Sequence, residues 1–409
     1  MRGRKALLSV LSSRRQPKWP VFSSPSCLSA FRGHHRCFSS VPTTTTPTVA
    51  DASDEEEDDN NNYVLRRHRR RRVVTVYNEL HRGCLSYKQT WAWQQVLLQQ
   101  RLVEAAAAAG AKSSPHRQEK QQEENTSDEK RIHNDCVLIV EHEPVYTLGR
   151  GADENHLAFL EEDDDHNGSV EKIRIQLSRK SRGPGSARLC LDRHIEEGLK
   201  RKLQQQHIKN IETTTILSAS SSSSVSTPSP VHFGPLVDEL LTEMAGVQPV
   251  MAPNDVPVYR VERGGEVTYH GPSQLVVYPI FNLRRPPFRD DLHWYLRTLE
   301  QVVIDTLQHY GIVGTRDEIN TGVWVGQDKV AALGIAASRW VTHHGFALNV
   351  DPQLSYFDTE FILPCGIEGR GVTSMAEILR GQDQPVPSLS DVAEVVKEQM
   401  RHKFDVHIE

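Results

Sequence analysis

Long stretches of biased composition interrupt this chain and limit how much of it can form a folded core. The chain has 409 residues, 37% of them apolar and 25% charged, which would suffice for two domains of average size. Arginine-rich, acidic and serine-rich segments occupy much of residues 1–72 and 161–235. Such segments bury too little apolar surface to offset the entropy of ordering them. We therefore predict one folded domain over residues 73–409, interrupted by a disordered insertion at about 161–235.

The N-terminal region has the composition of a targeting sequence. The first fifty residues contain eight Lys or Arg, nine Ser, five Thr and no Asp or Glu, as is typical of transit peptides. Arg36 resembles the arginine that precedes a matrix-processing site, so we predict a transit peptide over residues 1–38. Residues 39–72 are interpreted as a disordered linker, because an acidic run is followed directly by six arginines in seven positions. We expect the protein in the mitochondrial matrix, with a plastid as the less favoured alternative.

Charge and cysteine usage exclude several classes of function. The net charge of −5 gives no overall basic field, so we expect no nucleic acid as a partner. No run of 18 apolar residues exists, so we expect no membrane partner. The six cysteines include no C-x-x-C pair, which argues against a structural zinc site. His343 and His344 are adjacent, and neighbours on a strand point to opposite faces, so we expect no shared metal ion there and no cofactor.

Cys365 and Lys329 are candidates for nucleophilic catalysis. Cys365 lies in the sequence Leu-Pro-Cys-Gly-Ile, which predicts a turn that can present its sulfur to a cleft. A thiol with a pKa of roughly 8.5 needs a nearby cation or base to become a thiolate. Lys329 is the one lysine in the 36 residues before Cys365, and we predict that it opens the second of two short strands around a Gly-Gln-Asp turn. The alternative is a small buried cysteine and a solvated lysine.

A glycine-rich run precedes this pair. Gly264 and Gly265 permit close backbone approaches, and Thr268, Tyr269 and His270 place polar groups beside the apolar residues 275–280. This arrangement suits an acyl group that lies against backbone. No phosphate-binding loop pattern is present, and a double glycine can also mark an ordinary turn.

Three helices are predicted in the folded part. They cover residues 91–109, residues 291–310 before Gly311, and a C-terminal stretch that follows an N-cap at Ser388. Apolar residues at helical spacing predict buried faces on the last two helices. These are Leu292, Leu296, Leu299, Val303 and Leu307 on the first, and Val392, Val395, Val396 and Met400 on the second.

Four separated blocks of this sequence resemble the lipoyl(octanoyl) transferase family, the octanoyl-carrier-protein:protein transferases of lipoate biosynthesis. The blocks are residues 141–150 (EHEPVYTLGR), 263–275 (RGGEVTYHGPSQL), 329–334 (KVAALG) with 344–350 (HGFALNV), and 364–367 (PCGI) with 371–374 (GVTS). The resemblance covers roughly residues 73–160 and 235–409. Ser273 is a departure, because the family usually has glycine there, so the turn has either a negative φ or some strain.

The resemblance implies a fold, a reaction and a set of site residues. The fold is α/β, a mixed β-sheet with packed helices, like that of the biotin and lipoate protein ligases. Cys365 would take octanoate, or a lipoyl group, from acyl carrier protein as a thioester, and Lys329 would lower the pKa of its thiol. The acceptors would be lysines on lipoyl domains of 2-oxoacid dehydrogenase complexes and on the glycine cleavage H protein. The implied acyl-pocket residues are Arg263, Gly264, Gly265, Glu266, Val267, Thr268, Tyr269, His270, Ala332, Leu333, Gly334, Gly345, Phe346 and Ala347.

Two other functions are considered. An ATP-dependent lipoate-protein ligase would share the fold but would proceed through an acyl-adenylate and need no nucleophilic cysteine. A non-catalytic protein that binds lipoyl domains would need neither Cys365 nor Lys329. The presence of both residues favours the transferase.

Overall fold

A mixed β-sheet forms the centre of the structure. The computed structural model describes residues 71–111, 135–160, 169–182, 185–217, 234–359, 361–362 and 370–409. All of these belong to one compact unit, Val64–Glu409. The predicted transit peptide, and the predicted linker apart from residues 71–72, lie outside the described residues.

The described strands form two sheets. The larger sheet has the order β13-β1-β3-β8-β12-β11-β10-β9 with β2 beside β3, and the smaller has the order β5-β6-β4-β7. Strand β1 pairs in parallel with β3 and β13, whereas β8, β12, β11 and β10 pair antiparallel in sequence. The strands are β1 Arg72–Asn78, β2 Cys84–Leu85, β3 Asp135–His142, β4 Val145–Leu148, β5 Val250–Met251, β6 Pro257–Arg260, β7 Val267–His270, β8 Gln274–Ile280, β9 Thr315–Arg316, β10 Val323–Val325, β11 Asp328–Ser338, β12 Val341–Asn349 and β13 Val406–Ile408.

Helices cover both faces of the larger sheet. They are α1 Tyr87–Ala111, α2 Ser169–Leu177, α3 Arg193–Leu217, α4 Gly234–Glu243, α5 Leu292–His309, α6 Met375–Arg380 and α7 Leu389–Lys403. Short 3₁₀ helices lie at Leu80–Arg82, Glu154–His156, Ala158–Leu160 and Leu354–Phe357. None of the helices in the described residues is long and apolar enough to cross a membrane.

Alternation along the central strands divides the core into two layers. In β3, Leu138 and Val140 pack in the cluster beneath α1, whereas Val137 and Ile139 pack in the cluster beneath α5 and α7. This follows from the period of two in a strand, which sends successive side chains to opposite faces. A sheet buried on both faces requires apolar residues at nearly every position, as β3 and β8 show. The predicted fold class, a mixed sheet with packed helices, is confirmed.

Local capping signals place the helix ends where the sequence predicts them. The Asp291 side chain accepts hydrogen bonds from the backbone N–H groups of His293 and Trp294 at the start of α5. Ser388 and Asp391 form a capping box at the start of α7. The predicted apolar faces are buried in most positions, but Leu292 in the first turn of α5 is exposed. The predicted first helix is present as α1 and begins earlier than expected, at Tyr87.

The prediction that residues 161–235 form a disordered insertion is wrong for the parts that the structure describes. Leu177 and Ala187 belong to the core of the smaller sheet. Leu199 and Leu203, one turn apart on α3, pack in the core cluster that contains α1. A few apolar side chains at helical spacing are therefore sufficient to attach a polar segment to a neighbouring core, although its mean composition suggests otherwise.

Candidate active site

A cavity of about 180 Å³ is lined by strands from both sheets. Strand β7 contributes one wall, and β8, β11 and β12 contribute another. Most of the acyl-pocket residues expected from the sequence line this cavity. These are Arg263, Gly265, Glu266, Val267, Thr268, His270, Ala332, Leu333, Gly334, Gly345, Phe346 and Ala347, together with Lys329.

Two of the expected residues do not line the cavity. Gly264 is held in the backbone, where its N–H donates to the carbonyl oxygen of Ile335 at 2.9 Å. Tyr269 packs in the core of the smaller sheet, where its ring stacks on Tyr356 with centroids 4.6 Å apart. Both residues are adjacent in sequence to residues that line the cavity.

Glycines allow the strands beneath the cavity to approach closely. Gly334 and Gly345 are opposite each other in the β11–β12 ladder. A Cβ on Gly345 would lie 2.1 Å from the Val277 carbonyl oxygen, and one on Gly334 would lie 2.7 Å from the Gly264 carbonyl oxygen. Neither backbone atom can move away cheaply, so both positions require glycine.

Arg263 holds the glycine-rich run in place. Its guanidinium is buried and donates to the carbonyl oxygens of Gly264 and Glu266 at 3.1 and 2.9 Å. The other terminal nitrogen donates to the carbonyl and hydroxyl oxygens of Thr147 at 2.6 and 2.8 Å. Gly265 has a φ of 89°, a left-handed conformation that favours glycine. These four hydrogen bonds fix the loop between β6 and β7 to β4.

Lys329 is the second residue of β11, in the hairpin that the sequence predicts. It is 7% exposed, its Nζ donates to the Thr321 carbonyl oxygen at 3.1 Å, and the same atom lies 4.7 Å from the centroid of the Trp324 ring. A cation over the face of an indole is attracted by the quadrupole of the ring. The ammonium group is therefore positioned by its surroundings at the edge of the cavity.

The backbone of Lys329 is tied to the chain segment that follows Cys365. The Lys329 N–H donates to the Gly371 carbonyl oxygen, and the Thr373 N–H donates to the Lys329 carbonyl oxygen, both at 3.0 Å. Cys365 itself lies outside the described residues, between Ile362 and Arg370.

The rim of the cavity includes the loop before β10. Ile319 at this rim is 90% exposed. Backbone N–H groups of Asn320 and Ile319, followed by Arg370, stabilise the charged form of Asp317 and lower the pKa of its carboxyl to about 2. The ion pair between Arg370 and Asp317, at 2.6 Å, attaches the rim to the residues after Cys365.

A buried cluster of tyrosine and histidine rings borders the cavity, and sequence reasoning missed most of it. His142 Nδ1 lies 3.2 Å from the Leu85 carbonyl oxygen and Nε2 lies 2.8 Å from the Tyr278 hydroxyl. Because a carbonyl oxygen only accepts, Nδ1 carries the proton and Nε2 accepts from Tyr278. Burial lowers the pKa of His142 to about 4, so the ring is neutral. The ring of Tyr87 stacks on that of His270 with centroids 5.9 Å apart.

Several residues that line the cavity were not expected from the sequence. Tyr278 continues the apolar run of β8, where alternation could have indicated a side chain on the same face as Val276. Tyr87 begins α1 far from the other blocks, and no local pattern identifies it. The complete set is Tyr87, Val276, Tyr278, Ile319, Asn320, Thr321 and His344.

The expectation that His343 and His344 point to opposite faces is wrong. His344 has a φ of 57°, which breaks the strand alternation, and the two ring centroids lie 4.9 Å apart. Burial lowers the pKa of both rings. Among the described residues, no group of three or more histidine, cysteine or acidic side chains could hold a metal ion.

Ser273 has a positive φ, so of the two alternatives, a negative φ or some strain, the structure shows the strained one. Its φ is 63°, so serine occupies a position where glycine would be unstrained. Its N–H donates to the Glu141 carboxylate at 2.6 Å, and its carbonyl oxygen accepts from the Asp351 N–H at 3.0 Å. These two bonds hold the turn between β7 and β8.

The known proteins that this chain matches agree with the resemblance seen in the four sequence blocks. The lipoyl protein ligase A/B catalytic domain matches residues 244–401. Octanoyltransferase of Gloeobacter violaceus is 56% identical over 138 residues, which cover 33% of this chain and 60% of that protein. Octanoyltransferase of Synechococcus elongatus is 60% identical over 121 residues, which cover 30% of this chain and 50% of that protein. The resemblance indicated by the sequence blocks is thus confirmed, and the chain spans about 50 to 60% of the length of these relatives.

A solved structure also aligns with this chain, at much lower sequence identity. The crystal structure of lipoate-protein ligase A bound with ATP aligns over 83% of this chain and 87% of that chain, with 10% identity and a TM-score of 0.40.

Proposed function

We propose that this chain, which carries a lipoyl protein ligase A/B catalytic domain, is an octanoyltransferase. It takes an octanoyl or lipoyl group from acyl carrier protein and attaches it to a lysine of a lipoyl domain. The observation that carries the proposal is the cavity bordered by Lys329 and lined by small and apolar residues. The identity of up to 60% to octanoyltransferases over the aligned residues supports it.

The size of the cavity supports an acyl ligand. An apolar cavity of about 150 Å³ accommodates one benzene molecule. The cavity here is moderately larger, at about 180 Å³, so it suits a saturated acyl chain of medium length. Ala332, Ala347 and Phe346 provide apolar contacts, which favour such a chain over a charged ligand.

The proposed reaction has two acyl-transfer steps. The Cys365 thiolate attacks the carbonyl carbon of the octanoyl thioester, and the thiol of the carrier protein leaves. The amine of the target lysine then attacks the enzyme thioester, the C–S bond breaks, and a stable amide forms. Because the starting thioester is already activated, no ATP is needed, and one difficult step is divided into two easier ones.

Lys329 would serve both steps. Its ammonium form stabilises the Cys365 thiolate, and its neutral form can accept a proton during attack by the amine. Attachment of its backbone to residues 371–373 supports this role, because it fixes Lys329 relative to the chain that follows Cys365.

We also propose the partners and the location. The acceptors are lipoyl domains of 2-oxoacid dehydrogenase complexes and the glycine cleavage H protein, and the location is the mitochondrial matrix. The arginine- and serine-rich residues 1–50 support that location. Imaging a fusion of residues 1–62 to a fluorescent protein tests it, and accumulation in plastids or the cytosol would contradict it.

One incubation distinguishes the proposed function from its two alternatives. Purified protein is mixed with octanoyl-acyl carrier protein, free octanoate and a lipoyl domain, with and without ATP, and all components are weighed intact. The transferase produces octanoyl-lipoyl domain at equal rates in both mixtures. A product that requires ATP would indicate a ligase that uses free acid, and absence of product with a stable complex would indicate a binding protein.

A further inference from the structure

A chain of hydrogen bonds fixes the orientation of His270 at the wall of the cavity. The Asn349 side-chain amide donates to the Thr373 carbonyl oxygen at 2.9 Å. Because that carbonyl can only accept, Asn349 must present its own oxygen to Gln274, whose Nε2 donates to it at 2.9 Å. The same Gln274 nitrogen donates to the Tyr269 carbonyl oxygen at 3.2 Å.

These bonds determine which nitrogen of His270 carries the proton. With its nitrogen committed as a donor, Gln274 can only present its oxygen to His270 Nδ1, which lies 2.8 Å away. Nδ1 must therefore donate, and Nε2 is left with a lone pair when the ring is neutral. The proton position on His270 thus follows from the donors and acceptors of Gln274, Tyr269, Asn349 and Thr373.

The surroundings of His270 keep the ring neutral. Burial lowers its pKa well below the ordinary value. The nearby side chains of His142 on β3, Arg263 before β7 and His344 on β12 lower this pKa further. Tyr87 of α1 stacks on the ring from a further side. His270 lines the cavity, and its Nε2 has no hydrogen-bond partner among the residues that the structure describes. The wall of the cavity thus carries an unfilled hydrogen-bond acceptor.

The same chain of bonds links His270 to the backbone of Lys329. Gln274 is opposite Asn349 in the β8–β12 ladder. Thr373, at the end of the chain of bonds, donates its N–H to the Lys329 carbonyl oxygen. A smaller cavity of about 20 Å³ is lined by Gln274, Asn349 and Lys329 among others. His270 and Lys329 both line the larger cavity, so a substrate in it can contact both residues.

We propose that His270 Nε2 accepts a hydrogen bond from the amine of the target lysine and orients it for attack on the acyl thioester. This rests on the proposed function. An octanoyl chain and its thioester carbonyl have no proton to donate, whereas the neutral amine has two N–H groups. The amine lone pair forms the C–N bond and the C–S bond breaks. Lys329 accepts one amine proton and passes it to the departing Cys365 sulfur, and the other proton remains in the amide.

The variant His270→Asn tests this role. The asparagine amide can occupy the place of Nδ1 and keep the bond to Gln274, but it offers nothing in the place of Nε2. Intact mass measures the octanoyl adduct on the enzyme, and single-turnover transfer from the octanoylated enzyme to a lipoyl domain is measured separately. Transfer should slow by about 100-fold, the effect of a misplaced reacting group, while adduct formation remains close to the wild-type rate.

His142→Asn is the matched control. His142 is equally buried and also donates from Nδ1, but its Nε2 is occupied by Tyr278 and it does not line the cavity. This control should change both steps by the same small factor. Equal slowing of both steps in His270→Asn, or slow transfer in His142→Asn as well, would overturn the assignment. If wild-type protein forms no adduct, the proposed function fails and this inference falls with it.

A pH profile separates the proposed role from a structural one. Gln274→Glu places a carboxylate against Nδ1, which stabilises the imidazolium and raises the pKa of His270. The melting temperature of this variant is measured as well, because glutamate no longer donates to Asn349 and Tyr269. Below that raised pKa, Nε2 is a donor and can no longer accept from the amine. Transfer by this variant should therefore fall as pH decreases through the neutral range, with no such fall in adduct formation. A transfer profile of the same shape as that of the wild type would contradict the proposal.

Discussion

Lys329 is the residue whose charge and geometry the proposed chemistry uses most directly. Lys329→Arg keeps a positive charge but replaces the ammonium with a guanidinium that cannot act as a base. Adduct formation should therefore partly survive in this variant, whereas transfer to the amine should decline more. Lys329→Ala should damage both steps. Rapid-quench measurement of the two half-reactions checks this, and equal losses in both steps for both variants would indicate a purely electrostatic or structural lysine.

Gly345 illustrates how a single hydrogen atom in place of a methyl group shapes the cavity. Gly345→Ala forces a Cβ against the Val277 carbonyl oxygen, so it should destabilise the fold by about 1–3 kcal/mol, as overpacked positions do. Gly198→Ala, on α3 with no atom within 4 Å of the new Cβ, is the matched control. That change should stabilise the protein by up to about 1 kcal/mol, because alanine favours helix. Urea unfolding midpoints measure both, and a stabilised Gly345→Ala protein would contradict the packing described here.

At the scale of elements, α3 is attached to the rest of the protein by one narrow apolar face. Leu203→Ala removes a buried side chain from the contact with α1 and should lower the free energy of unfolding by about 2–5 kcal/mol. Arg201→Ala, on the exposed side of the same helix, should change it by less than about 0.5 kcal/mol. Thermal or urea unfolding compares the two. Equal stability of the two variants would mean that α3 is not part of the cooperative core.

How much of an element could be predicted depended on whether its signal was local. The side chains of Asp291 and Ser388 accept hydrogen bonds from backbone N–H groups two or three residues later, so the starts of α5 and α7 were predictable from the local sequence. The hairpin that carries Lys329 was predictable for the same reason. The packing of α3 was not predictable, because Leu199 and Leu203 are buried by contact with α1, which is distant in sequence. The conformation of His344 also depends on a residue far along the chain, because its backbone N–H donates to the side-chain oxygen of Gln94 at 2.9 Å.

For the whole molecule, the candidate site is assembled from segments that are distant in sequence. The glycine-rich run and the residues of β11 and β12 could be identified from the sequence, because each carries a recognisable motif. The ring cluster could not, since Tyr87 and Tyr278 approach His270 only when α1 packs on the sheet. The orientation of His270 through Gln274 and Asn349 likewise depends on strand pairing.

The described cysteines differ from the one to which the proposal assigns chemistry. Burial raises the pKa of the Cys136 thiol to about 12, and burial with the nearby Glu141 raises that of Cys84 to about 11. Burial also raises the pKa of Cys190. Thiols of this kind are protonated at neutral pH and are poor nucleophiles. An acyl group found on the protein should therefore not be on any of these three residues.

The mass of the protein after incubation with octanoyl-acyl carrier protein alone tests the central claim most directly. Wild-type protein should gain one octanoyl group without ATP, and hydroxylamine should remove it, as expected for a thioester. Cys365→Ala should gain none while it remains folded, and Cys365→Ser should react far more slowly, because a serine hydroxyl is much less acidic. Absence of the adduct in the wild type, or its persistence in Cys365→Ala on Cys84, Cys136 or Cys190, would contradict the account.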